Sequence, residues 1–130
     1  MSDFEHSVMK ELKIGKYVLI DGIPCKVVEI EVSAPGKHGA AKMRVTAIAI
    51  FEGTKKTILK PSDADVQVPI IDRKRGQIVS MTGDNAQVMD LATFETFEMR
   101  IPEEFKADAA QGKEVEFIET GGRKLINRIS

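Results

Sequence analysis

The chain has one cysteine, Cys25, two histidines, His6 and His38, and no tryptophan. A single cysteine excludes an intrachain disulfide framework and any Cys-rich zinc site. Two histidines give little basis for a His-based metal site. Long apolar runs are also missing. The longest, Ala47-Ile48-Ala49-Ile50-Phe51, falls far short of the ~20 residues that a membrane-spanning helix needs. The opening residues, MSDFEHSVMK, lack an apolar signal-peptide segment, so no secretory signal is visible and the expected address is the cytoplasm. Charge of one sign is not in excess either. Lys and Arg number 19 against 20 Asp and Glu, a formal net charge of −1. That excludes a broadly basic surface of the kind that coats nucleic acid, but not a local basic patch.

What is present is a globular balance, with 42% hydrophobic and 30% charged residues over 130 positions. Such a chain can bury a core as one domain or as two small ones. Its charge is uneven. Residues 33–60 carry Lys37, Lys42, Arg44, Lys55, Lys56 and Lys60 against Glu52 alone, and the acids Glu29, Glu31, Asp63 and Asp65 lie just outside. This stretch is either a solvated strand-and-loop face or a phosphate-facing patch.

The dominant periodicity is two, the period of strands. Val28, Ile30 and Val32 alternate with Glu29 and Glu31, which predicts a strand half-buried through those valines and Ile30. From Lys42 to Phe51 the alternation continues and then becomes apolar on both faces, which requires cover on both sides. Val66, Val68 and Ile70 form a further run. Turn signals at Asp21-Gly22, Pro35-Gly36, Glu52-Gly53 and Pro61-Ser62-Asp63 separate these segments. Short antiparallel strands in series predict a small barrel over residues 1–71. Cys25 is expected to be a small buried residue, and His6 to lie in a mobile tail.

At Asp72-Arg73-Lys74-Arg75-Gly76 the composition changes, and this apolar-free stretch reads as a linker or the first turn of a second domain, 72–130. Strands resume over 77–82, 87–91 and 95–101. Pro102, Glu103, Glu104 and Gly112 then frame one expected short helix. Strands 114–120 and 124–129 follow, joined at Gly121-Gly122. Five strands with a helix between the third and fourth form the layout of an OB-fold, so the expected architecture is all-β, two small barrels. An OB-fold that binds single strands stacks bases on exposed aromatics. Phe97 and Phe117 sit in apolar alternation and are expected in the core, leaving Phe94 outside the pattern.

The segment Ser33-Ala34-Pro35-Gly36-Lys37-His38-Gly39-Ala40-Ala41 has no acid and no large apolar side chain. Gly36 and Gly39 permit a tight tip and Pro35 stiffens one limb, so Lys37 would be held out with nothing to pair it. An ordinary turn is one reading. A phosphate cradle fails, because the glycine spacing and the residue after the lysine are wrong for a P-loop. A Schiff-base lysine would need desolvation or a neighbouring cation to lower its pKa, and a small, polar, acid-free tip offers little burial and no acid or base partner nearby in sequence.

The run Pro35-Gly36-Lys37-His38-Gly39-Ala40-Ala41-Lys42, continuing through Arg44 and Val45, resembles the modification loop of the translation initiation factor 5A family. The two-barrel layout, an SH3-like barrel followed by an OB-fold, is similar as well. The resemblance implies that Lys37 is the modified lysine. A deoxyhypusine synthase would transfer the aminobutyl group of spermidine onto it, with Pro35, Gly36, His38, Gly39, Ala41 and Lys42 forming the loop around it. No other cofactor is implied. Ala34 and Ala40 stand where eukaryotic members often carry Lys and His, so the chain resembles the archaeal branch, and deoxyhypusine or hypusine remains open.

By the same resemblance the protein is not an enzyme. It would bind the ribosome and its RNA beside peptidyl-tRNA, as bacterial elongation factor P does, and promote peptide-bond formation at stalled sequences such as polyproline. Lys42, Arg44, Lys55 and Lys56 are the candidates for RNA contact. The alternative is a generic OB-fold single-stranded RNA-binding protein with an unmodified lysine loop.

Overall fold

The structure is a computed structural model that describes residues 4–33 and 41–130. The chain divides into two compact units, Met1–Ile70 and Ile71–Ser130. Both are built from antiparallel strands, so the expected all-β, two-barrel architecture is the one the chain adopts.

The first unit contains β1 (Phe4–Val8), β2 (Tyr17–Ile20), β3 (Ile23–Ser33), β4 (Lys42–Ala49), β5 (Lys55–Pro61) and β6 (Asp65–Pro69). They form one sheet in the order β1-β6-β2-β3-β4-β5. Asp21 and Gly22 both take positive φ (53° and 78°), the two-residue turn that matches the twist of β2 and β3. The core is formed by the inward alternation Cys25, Val27, Met43, Val45, Ala47 and Ala49, closed by Met9, Val18 and Val66. Thr46 is buried on the opposite face of β4, so the apolar end of this strand is covered on both sides.

Two expectations for this unit are corrected. The Val28, Ile30, Val32 stripe does not face inward as a set. The register steps from Val27↔Ala47 to Glu29↔Thr46, leaving Val28 unpaired in a bulge. Val28 is 45% exposed and Val32 62% exposed. His6 is not in a tail either. It lies in β1, opposite Gln67 of β6, with its ring edge-on to Phe4 at 5.5 Å. The segment holds because the ladder from Phe4↔Pro69 to Val8↔Asp65 satisfies its backbone.

The second unit contains β7 (Asp72–Thr82), β8 (Asn85–Asp90), β9 (Thr96–Arg100), β10 (Glu114–Thr120) and β11 (Arg123–Ile129). The order is β11-β10-β7-β8-β9, and β11 comes back beside β9, so the sheet curls as an OB-fold does. Phe117, Ile78, Val88, Ile101 and Ile126 fill it. Gly76 is buried where β7 passes between β8 and β10. A Cβ there would stand 2.5 Å from Val88 Cγ1 and 3.1 Å from Phe117 Cε1.

Here too the structure departs from the sequence reading. Asp72-Arg73-Lys74-Arg75-Gly76 is neither a linker nor a turn but the start of β7. Its charges are met across the sheet: Arg73 by Glu116 (3.7 Å), Lys74 by Glu119 (2.7 Å) and Arg75 by Glu114 (2.7 Å). The short helix is one 3₁₀ turn, Glu103–Phe105, followed by turns. Its N-cap residue, Pro102, makes no side-chain cap. Only Phe105 and Ala109 pack onto the core, and a single pair gives no apolar stripe to hold a longer helix.

Candidate functional site

The site is built from the distal half of the β3–β4 hairpin and the strand beside it. Beyond the Val28 bulge, pairing runs without interruption to Ser33↔Lys42, the last pair before the connecting segment. Pro35, Gly36, Lys37, His38 and Gly39 lie in that segment, outside the described residues. Ala41 and Lys42 lie inside them. The Ala41 carbonyl accepts a hydrogen bond from Ser62 N at 2.7 Å, tying the start of β4 to the turn after β5.

Opposed residues in an antiparallel ladder share a face. The row Ser33–Lys42–Pro61 and the row Glu31–Arg44–Leu59 therefore face the same way, away from buried Met43 and Val45. A third outward row holds Lys26, Ile48 and Lys55, with Tyr17 opposite Lys26 on β2. Lys42, Arg44 and Lys55 are thus brought to one exposed face. Lys56 is not, since it pairs with Ala47 in the inward row and sits half-buried. The register corrects the sequence set by placing Lys56 on the opposite face from the other three.

Lys26 is the residue that the sequence reading missed. Its signal was present, a lysine between the inward Cys25 and Val27, but it lies outside the densest basic stretch. Glu29 and Glu31 share the outward face, so the patch is a mixed surface with a cationic excess rather than a uniform one. Lys42 and Arg44 enter none of the ion pairs found among the described residues.

Elsewhere the titratable groups are structural. Burial pushes the Cys25 thiol up, and its Sγ donates to the Ile23 carbonyl at 3.3 Å. The thiol is therefore held protonated and buried, against a nucleophilic role. Hydrogen bonding from Lys74, and then from Lys124, holds the Glu119 carboxyl below the usual glutamate value. The same contact raises Lys74. Among the described residues no group of three or more His, Cys, Asp or Glu could hold a metal ion, and no helix is long and apolar enough to cross a membrane.

Comparison with known proteins agrees with this architecture. The family model for the translation initiation factor 5A-like N-terminal domain matches residues 4–64. Translation initiation factor 5A of Archaeoglobus fulgidus is 50% identical over 122 residues, covering 94% of this chain and 95% of that one. The factor of the same name from Methanocaldococcus jannaschii is 52% identical over 118 residues, covering 91% and 89%. A solved structure described as eukaryotic translation initiation factor 5A from Methanococcus jannaschii superposes with a TM-score of 0.90 at 48% identity, over 100% of this chain and 97% of that one. With this identity spread across both units, the chain belongs to the translation initiation factor 5A family and is a translation factor.

Proposed function

We propose that the factor works in the cytoplasm on the ribosome, beside peptidyl-tRNA, and promotes peptide-bond formation at stalled sequences such as polyproline. Its working group is Lys37, made active by an aminobutyl group that deoxyhypusine synthase transfers from spermidine. The observation that supports this reading is the Ser33↔Lys42 pair, the last of a continuous ladder whose two strands flank, in sequence, the segment that contains Lys37.

The chemistry of the segment is consistent with that role. With no acid between Ser33 and Lys42, an extended cationic arm has no near neighbour in sequence to fold back onto. The added amine gives the tip a second cationic donor for RNA oxygens. Lys42, Arg44, Lys55 and Lys26 then supply phosphate contacts along one face. The factor is not an enzyme on this reading. It holds the tRNA end in a reactive arrangement, and the rate gain is one of positioning. Proline demands such help because its ring fixes φ and limits the approach of the reacting groups.

Intact-mass analysis of the protein from its own cells tests the modification. An aminobutyl adduct on Lys37 is expected, with or without a further hydroxyl, and a fully unmodified Lys37 overturns the proposal. In reconstituted translation, Lys37→Ala should lose stimulation on polyproline messages while keeping the fold. Full activity of that variant would remove the tip from the mechanism.

A further inference from the structure

β5 is the last strand of the first sheet, and its far side pairs with no strand among the described residues. The ladder with β4 tells which of its backbone groups are free. The Ala41 carbonyl accepts from Ser62 N at 2.7 Å, and the Thr54 carbonyl accepts from Ala49 N at 2.8 Å, one contact beyond each end of β5. In an antiparallel pair every second opposed pair exchanges hydrogen bonds. The bonded pairs between those ends are therefore Met43↔Lys60, Val45↔Ile58 and Ala47↔Lys56. Lys55, Thr57 and Leu59 turn their N–H and C=O groups away from β4, and all three residues are exposed. Pro61, which has no N–H, stands at the next position of the same set, where the ladder asks for none.

Beyond this edge the barrel is open. β6 starts just past the Ser62-Asp63 turn, yet no ladder joins β5 to β6 or to β1 among the described residues. A cavity of about 500 Å³ opens here, lined by Ile58 and Lys60 of β5, Ile20 of β2 and Val66 of β6. Ile58 lies on the inner face, opposite Val45. A strand laid antiparallel along β5 would do two things at once. Its backbone would take up the free groups of Lys55, Thr57 and Leu59, and its residue opposite Ile58 would enter the cavity.

Charge selects the occupant. β5 carries Lys55, Lys56 and Lys60 and no acid. Lysines along an edge repel a second copy of the same strand, which argues against self-pairing. Asp21 and Asp65 line the cavity together with Lys60 and offset it, which leaves Lys55 and Lys56 as the cationic end of the edge.

We infer that the open edge of β5 docks an extended peptide segment of a protein partner. The segment adds to the sheet as a strand, puts an apolar side chain opposite Ile58 into the cavity and sets acidic side chains opposite Lys55 and Lys56. A nucleic acid offers phosphates to the lysines but no alternating N–H and C=O groups to continue the ladder. Lys37 takes no part, so the inference stands apart from the proposed ribosomal role.

The test uses the full chain and the fluorescein-labelled hexapeptide Thr-Val-Val-Thr-Glu-Glu, written to run antiparallel from Lys60 to Lys55. The control is the same composition reordered as Glu-Val-Thr-Glu-Val-Thr. By anisotropy the first should bind about tenfold more tightly, since only it places valine in the cavity. Hydrogen exchange should show the Lys55, Thr57 and Leu59 amides slowed by the peptide, with those of Lys56, Ile58 and Lys60 already slow without it. Thr57→Pro removes a free N–H and blocks the edge while sparing the β4 ladder, so it should weaken binding about tenfold or more. Thr57→Val should bind as wild type does. Lys55→Glu should weaken binding about threefold, and the peptide Thr-Val-Val-Thr-Glu-Lys should restore it. That arm needs no proline in the strand. The inference is overturned if the first peptide does not bind at millimolar concentration, if both peptides bind alike, if the three amides keep their free exchange rate, or if Thr57→Pro and Thr57→Val bind equally. Slowing of the same amides by hexauridylate would give the edge to RNA, and slowing at raised protein concentration without peptide would give it to a second copy. Either result also overturns the inference.

Discussion

Lys124 places its Nζ 4.1 Å from the centre of the Phe97 ring, joining β11 to β9 where the second sheet curls onto itself. The same Nζ is 3.3 Å from Glu119, which Lys74 approaches from the other side at 2.7 Å. The lysine side chain is only 16% exposed, so its attraction to the ring is less screened than at a free surface. The contact does locally what a ladder of backbone hydrogen bonds does elsewhere, holding two strands together.

Replacing Lys124 by Met should therefore cost about 1 kcal/mol, the range of a partly desolvated cation–π contact. A double-mutant cycle with Phe97→Leu, measured by urea unfolding at neutral pH, should give a coupling of roughly 0.5–1 kcal/mol. Strict additivity would mean that the two side chains stabilise the barrel independently.

Glu119 and Lys74 set opposite ends of a pH window. The Glu119 carboxyl is held low in the folded protein, first by its hydrogen bond from Lys74. Its contribution is present above the ordinary glutamate value of 4.5 and is lost as pH falls through the lower folded value. Lys74 is raised, first by the same hydrogen bond, so its contribution is present below the ordinary lysine value of 10.5 and is lost at pH above it. Thermal melts of Glu119→Gln should show a shallower loss of stability at acid pH below 4.5 and a lower plateau at neutral pH. Parallel acid limbs for the variant and wild type would assign the acid sensitivity to other carboxylates.

Gly76→Ala should be among the most damaging single-methyl additions in the chain. The new Cβ would meet the branch of Val88, the Met89 carbonyl at 3.0 Å and the Phe117 ring. Overpacking of this kind costs about 1–3 kcal/mol. The left-handed φ that explains other glycines is not the reason here; the reason is the close approach of β8 and the Phe117 ring. A melting temperature equal to wild type would mean that β7 and β8 can separate without penalty.

At the β8–β9 loop, Asp90→Ala should destabilise by about 1–2 kcal/mol, since two loop N–H groups lose their acceptor. Asp90→Asn keeps an acceptor oxygen and should cost less. Phe94→Gly should go the other way and raise stability by about 0.5–1 kcal/mol, by relieving the positive φ at that position. Calorimetry of the three variants would show whether the loop is held in its shape by Asp90.

Strand existence was legible because the alternation of apolar side chains along β4 and β10 is local information. The two-residue turns at Asp21-Gly22 and Gly121-Gly122 were legible for the same reason, since both positions need positive φ and those residues accept it. What failed depended on partners far away in sequence. Arg73-Lys74-Arg75 reads as solvent-facing until Glu114, Glu116 and Glu119 are set opposite it. Lys56 reads as equivalent to Lys55 until the register puts consecutive residues on opposite faces. Phe94 could be singled out from its composition context, but its backbone is set by Asp90 and could not be inferred from the phenylalanine itself.

The unpaired Val28 makes β3 one residue longer than its ladder requires. Deleting it would leave Glu29↔Thr46 and every later pair through Ser33↔Lys42 as they are, because the residue on either side already has its partner. A deletion past that point, within Glu29–Ser33, would instead turn the remaining tip of the strand over. The hairpin thus carries a spare residue at its base, where the turn after Lys13 binds Val27 through Gly15 N at 2.9 Å and the Lys16 carbonyl at 2.8 Å. What that residue governs is direction. A bulge bends its strand and tightens its twist, so Val28 sets the bearing of the paired strands beyond it, while their length is counted in the pairs from Glu29↔Thr46 to Ser33↔Lys42.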